Sequence, residues 1–214
     1  MFETTQAMTL FPTVCWIHDL PAAEAAGLNR DLEASIMALL GPNSGVPAGD
    51  KWQTSQDLHL RPEFQGLVQL IQAAGQGVVS YLKLAHSAIE ITGCWANINP
   101  PGMPHSIHTH PNNLISGVYY VKAAPGADQI NFYDPRPQAR VLAPKITEGN
   151  VANALQSNVD IKPGRLICFP AWLEHGVPPN RSRAERISIS FNLMQSDFTR
   201  KVSPPKWKGV GGAG

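Results

Sequence analysis

The residues best equipped for chemistry are histidines: His105, His108 and His110 in one short stretch, and His175 far downstream. On an extended strand, residues two apart point to the same side, so His108 and His110 aim both imidazoles at one point; on a helix they would diverge. A third imidazole from a distant strand then caps one face of a metal ion and leaves the opposite positions open, as oxygen-activating iron sites require. His175 suits that place because it follows the apolar run Leu166-Ile167-Cys168-Phe169-Pro170 and precedes the turn at Pro178-Pro179. Taken alone, His108-Thr109-His110 could also be an accident of a loop, since short motifs recur by chance.

Arg186 opens the second feature, Arg186-Ile187-Ser188-Ile189-Ser190-Phe191-Asn192. Alternation puts Arg186, Ser188, Ser190 and Asn192 on one face and the apolar residues on the other. A guanidinium with a hydroxyl two residues on is shaped to grip a carboxylate, because its planar fork donates two parallel hydrogen bonds. The competing reading is a solvated strand face with Arg186 paired to Glu185 or Glu174. Tyr120, Asn97 and Asn99 are further candidates for the same inner surface, although the asparagines could instead cap turns beside Pro100-Pro101. His105 is a candidate neighbour of the ligand set, and Asp134, Arg136 and Trp172 are candidates for its rim.

Elements must hold these residues in place. The first ninety residues read as helical. Asp19 is a plausible N-cap with Pro21 in the first turn, and Leu28, Leu32, Ile36 and Leu39 form a stripe that Gly41-Pro42 stops. A second helix is predicted from Pro62, with Phe64, Leu67, Leu70, Ile71, Ala74, Val78, Tyr81 and Leu82 as one apolar face suited to lie against a sheet. Between them, residues 43–57 read as a loop without packing of its own, a connection or a lid. Eight short strands follow, at 93–99, 105–110, 114–122, 128–133, 156–161, 165–169, 172–177 and 185–194, divided by Pro and Gly turns. That spacing predicts a sandwich or jelly roll, with an open α+β sheet as the alternative. A strand near residues 9–17 could pair with a second subunit to make a homodimer, and the tail 201–214 has little to bury.

Composition narrows the function classes. Seventeen basic against sixteen acidic residues give a net charge of +1, so no global field draws the chain to nucleic acid or anionic membranes, and a small-molecule or side-chain substrate is expected. The acidic start and the lack of a long apolar run argue for the cytoplasm and against a membrane anchor. Three scattered cysteines fit reduced thiols better than a disulfide framework. A chain of 214 residues, 43% hydrophobic, suits a single domain, here 1–200 with helical support in 1–90 and the strand core in 91–196.

The His-x-ligand pair, the run Ser116-Gly117-Val118-Tyr119-Tyr120, the Gly164-Arg165-Leu166-Ile167-Cys168-Phe169-Pro170 strand, the distal His175, the Arg186-x-Ser188 pair and Asp134-Pro135-Arg136 occur in an order that resembles the iron- and 2-oxoglutarate-dependent oxygenases of bacteria and phages. The resemblance spans roughly Trp95 to Asn192. It implies a mainly β fold, a double-stranded β-helix of the jelly-roll, cupin-like kind, with two N-terminal helices outside one sheet. It implies Fe(II) on His108, His110 and His175, and 2-oxoglutarate as cosubstrate, anchored by Arg186 with Ser188 and bordered by Tyr120, Asn97, Asn99 and Asn192. The reaction implied is a prolyl-hydroxylase-like oxidation using O2, with decarboxylation of 2-oxoglutarate to succinate. One departure stands out: the better-known members carry Asp or Glu where this chain has His110. The site is then a three-histidine variant, or His110 pairs with Asn112 and His108 stands behind, or activity has been lost. Two other readings stay open, a cupin-type three-histidine dioxygenase without 2-oxoglutarate and a jelly-roll binding module without catalysis.

Overall fold

Proline opens and glycine closes the first helix, α1 (Ala22–Leu40), in this computed structural model, which describes residues 1–41, 46, 50–85, 88–142 and 144–201. Pro21 occupies the N-cap position and makes no side-chain cap bond, while Gly41 leaves the helix at φ 94°. The expected cap, Asp19, is engaged elsewhere. It ends β1 (Trp16–Asp19) and takes both forks of Arg165 at 2.7 and 2.8 Å and Lys162 at 3.0 Å, partners that outcompete a lone helix N–H. The second helix, α2 (Gln65–Tyr81), follows a single 3-10 turn begun by Pro62. Its stripe is buried from Phe64 through Val78 except for the partly buried Leu70, whereas Tyr81 and Leu82 are exposed at its end.

All eight expected strands form. They are β3 (Ile89–Asn99), β4 (His105–His108), β5 (Ile115–Lys122), β6 (Gln129–Tyr133), β7 (Gln156–Asp160), β8 (Arg165–Pro170), β9 (His175–Val177) and β10 (Arg186–Gln195), and a short helix, α3 (Ser196–Lys201), ends the described chain. β4 and β9 are shorter than expected; in β9 a turn closed by the Leu173 N–H on the Pro170 carbonyl consumes the first residues. With β2 (Trp52–Gln53), the strands make two antiparallel sheets, of order β1-β8-β5-β10-β3-β2 and β4-β9-β6-β7.

Two expectations about the N-terminal region need correction. Part of the 43–57 segment lies outside the described residues, and the rest is no bare connection. Trp52 and Gln53 pair with Ile98 and Asn97, and the Cys94 N–H donates to the Gln56 carbonyl, because Trp52 can bury its ring against the core only by lying along β3. The strand expected at 9–17 forms only at Trp16–Asp19 and pairs with β8 of its own chain. Of the expected tail, residues 202–214 lie outside the described residues.

Alternation along β10 sorts the two sides of the large sheet. Ile187, Ile189 and Phe191 join Leu32 and Ile36 of α1 and Leu67, Ile71 and Val78 of α2 in one buried cluster. Each contributes about 1.5–3 kcal/mol of hydrophobic stabilisation. The Tyr119 hydroxyl ties α1 to β5 through a 2.7 Å bond to Asn29. On the other side, Val118, Tyr120, Ile167 and Phe169 meet Ile130 and Phe132 of the small sheet. Gly117 is required on β5: a Cβ there would overlap the Phe191 ring and sit 2.8 Å from the Ile167 carbonyl oxygen.

Candidate metal centre

The histidines are brought together by the small sheet. His108 lies opposite His175 in the β4–β9 pairing, and His110, just past the end of β4, is held by its N–H on the Ala171 carbonyl at 2.9 Å. That backbone bond keeps the third ring on the side that strand alternation predicted, although the strand itself stops at His108. Ring centroids are 4.4 Å apart for His108–His175, 4.8 Å for His108–His110 and 5.2 Å for His110–His175. One ligand atom from each of the three lies within 4.8 Å of the others, the only such cluster of potential ligands among the described residues.

The tautomers suit a metal. Nδ1 of His108 stands 2.7 Å from the Ser106 carbonyl, and Nδ1 of His175 stands 2.9 Å from the Leu173 carbonyl. A carbonyl oxygen only accepts, so each Nδ1 carries the proton and each Nε2 keeps its lone pair. The Phe169 ring packs on His175 at 4.5 Å and Trp95 flanks His110 at 5.8 Å, which restricts ring rotation. Asn112, the alternative ligand, sits in an exposed turn at φ 63° and is not among the residues lining the cavity.

His105 was expected only as a neighbour, and strand alternation would turn it away from His108, three residues on. A register shift between them in the β4–β9 pairing adds a residue, so both rings face the cavity and stack at 4.8 Å. A bulge leaves no mark in the residue types, which is why sequence alone could not place this ring.

Arg186, Ser188, Asn97, Asn99 and Tyr120 line the same cavity as the three histidines. The pairing explains it: Arg186 is opposite Asn99, and Ser188 lies between Asn97 and Tyr120, so three adjacent strands present one inner row. Asn97 donates to the Ser190 hydroxyl at 3.2 Å. Arg186 is only 2% exposed, and its Nη1 and the Asn99 Nδ2 are buried donors without a hydrogen-bond partner. Burial lowers the Arg186 pKa and raises that of Tyr120. The expected Asn192 is not among the lining residues; it accepts a 2.7 Å bond from the Ser116 hydroxyl, farther along β10. Asp134 and Arg136 hold each other in a bidentate pair, and Trp172 is exposed in the turn before β9. Sequence reading missed Phe169 and Gly117 as parts of the cavity wall, whereas the alternation that placed Asn97 and Tyr120 also carried Trp95 and Val118.

Burial holds the imidazoles neutral: it lowers His110 to a pKa of about 3 and His105 and His175 to about 4, with neighbouring rings adding to the shift. Unfolded, each would titrate near about 6.5. The unfolded state therefore binds protons first, and the stability tied to these rings is complete above about pH 6.5 and is lost as pH falls towards about 4. Urea midpoints of the metal-free protein should drop steadily across that window; a flat profile would show that the rings are not buried in solution.

Residues 93–192 match the family described as "Putative 2OG-Fe(II) oxygenase". No curated protein matches the chain. Among solved structures, the epimerase SnoN from nogalamycin biosynthesis, described as non-heme and alpha-ketoglutarate-dependent, is 14% identical with a TM-score of 0.62 over 92% of this chain and 88% of its own. A Pseudomonas putida prolyl-4-hydroxylase is 18% identical, TM-score 0.57, over 86% and 93%. HygX from Streptomyces hygroscopicus, solved with nickel and 2-oxoglutarate bound, is 11% identical, TM-score 0.59, over 86% and 83%. At these identities the neighbours speak for a shared mainly β, antiparallel fold, and the segment 93–192, which carries the histidines and Arg186, is similar to the 2OG-Fe(II) oxygenases.

Proposed function

We propose that His108, His110 and His175 hold the iron, that Arg186 with Ser188 and Asn99 binds the distal carboxylate of 2-oxoglutarate, and that Tyr120 and Asn97 border it. The observation that carries this reading is the buried, unpartnered Nη1 of Arg186 in a cavity shared with three converging imidazoles. A guanidinium left without a counter-charge at 2% exposure is costly, so an anion of matching shape belongs beside it. The Asn99 Nδ2 supplies a second orphan donor on the neighbouring strand. Asn192 is not included, since its amide oxygen is occupied by Ser116.

Ferrous iron with the oxo acid and dioxygen supplies an oxidation of a substrate C–H bond coupled to loss of carbon dioxide and formation of succinate. The chain's own residues orient and exclude. The Ser106 and Leu173 carbonyls fix the ligand tautomers, Phe169, Ile130 and Val118 keep water from the cavity wall, and Arg186 sets the register of the oxo acid. We read the facing sheets as a double-stranded β-helix with α1 and α2 outside the larger one, all in one domain. Support comes from the cluster those helices share with β10 and from the cavity between the sheets. No helix among the described residues is long and apolar enough to cross a membrane. A cytoplasmic location and a homodimer joined along the outer edge of β1 belong to the same proposal; β1 ending the large sheet supports the second.

The decisive experiment is anaerobic reconstitution with ferrous iron and ascorbate, followed by 2-oxoglutarate and oxygen. Succinate should accumulate slowly without added substrate and faster with a true one. Oxygen uptake on a substrate with no succinate would favour a three-histidine dioxygenase that needs no oxo acid.

A further inference from the structure

We propose that this chain takes up its metal and its oxo acid as a unit, and that His110 is the residue that imposes this. The inference rests on the ligand and anchor roles above and concerns how strongly each binding event depends on the other. The candidate donor set is entirely imidazole, and among the described residues none that lines the cavity is Asp or Glu. Its fixed charge is the buried Arg186 guanidinium. A dication entering alone therefore meets three donors that bring no negative charge, and one like charge, in surroundings that screen poorly. An oxo acid entering alone gains the two orphan donors of Arg186 and Asn99, but nothing takes up its second carboxylate beside the imidazoles. Entering together, each supplies the charge the other lacks. A carboxylate at position 110 would give the metal its own counter-charge and loosen this dependence. Linkage makes the coupling reciprocal: whatever factor the oxo acid adds to metal affinity, the metal adds to oxo-acid affinity.

The test is calorimetric titration of the chelator-stripped full chain with Mn2+, without and with saturating N-oxalylglycine, and the converse titration with the ligands exchanged. Mn2+ should bind about 100-fold more tightly with N-oxalylglycine present, near the upper end of measured site-to-site couplings, with the same factor in the converse titration. His110→Asp should bind Mn2+ alone about tenfold or more tightly than the parent chain, with the coupling reduced. Arg186→Gln keeps the proposal testable should that variant fail to fold: removing the like charge should tighten Mn2+ binding in the absence of the oxo acid, although N-oxalylglycine binds more weakly. Equal Mn2+ affinity with and without N-oxalylglycine, or Mn2+ affinity that neither substitution raises, overturns the inference and leaves the ligand assignment standing. Failure of both ligands to bind even together overturns the assignment itself.

Discussion

His175→Ala should strip the protein of metal. The ring is 5% exposed, packed between Phe169 and His108 and pinned by the Leu173 carbonyl, so it is the most rigidly placed of the three donors. Loss of an outer partner of a metal ligand commonly costs 10–100-fold in affinity, so loss of the ligand itself should cost more than about 100-fold. Two imidazoles would remain, both near the chain reversal at Pro111, with nothing from β9 to close the face. The measurement is iron per chain by elemental analysis after anaerobic reconstitution and desalting, with circular dichroism to verify folding. Stoichiometric iron in the folded variant would remove His175 from the ligand set.

Arg186→Ala should separate the two halves of the site. The orphaned guanidinium has no partner at Nη1 to lose, so the metal-free fold is expected to melt no lower, and relief from a buried unpaired charge favours a higher midpoint. Binding of 2-oxoglutarate should weaken by about 30-fold or more, since truncating one member of a buried charge pair costs roughly 2–5 kcal/mol. Metal uptake in the absence of the oxo acid should be at least as strong as in the parent chain. Equilibrium binding of 2-oxoglutarate to the Mn2+-loaded variant gives the answer; unchanged affinity would mean that the cosubstrate lies elsewhere.

Sequence periodicity located the strands well because their faces differ so sharply. Ile187, Ile189 and Phe191 against Arg186, Ser188 and Ser190 is a pattern that marks a strand with one apolar and one polar face, and all of these except Ser190 are buried. It failed where pairing partners, not residue types, decide the outcome. Trp52–Gln53 joins β3 although its flanks are rich in turn formers, because the gain is the packing of one indole on the core. Asp19 reads as a helix cap until Arg165 and Lys162 arrive from far along the chain. Asn192 shares a face with Arg186 yet misses the cavity, because it lies farther along the strand, where Ser116 of β5 claims it.

What the sequence by itself determined was the donor chemistry and its order along the chain: two imidazoles two residues apart, one distal, then a guanidinium followed by a hydroxyl on one strand face. Side-chain period and residue type carry that information locally, so no folding is needed to read it. Only the tertiary structure decided that the rings converge, that a bulge turns His105 inward beside them, and that Arg186 is enclosed with a donor unmatched. Those outcomes depend on strand register and on which surfaces exclude water, properties of contacts between residues distant in the chain, which no local stretch encodes.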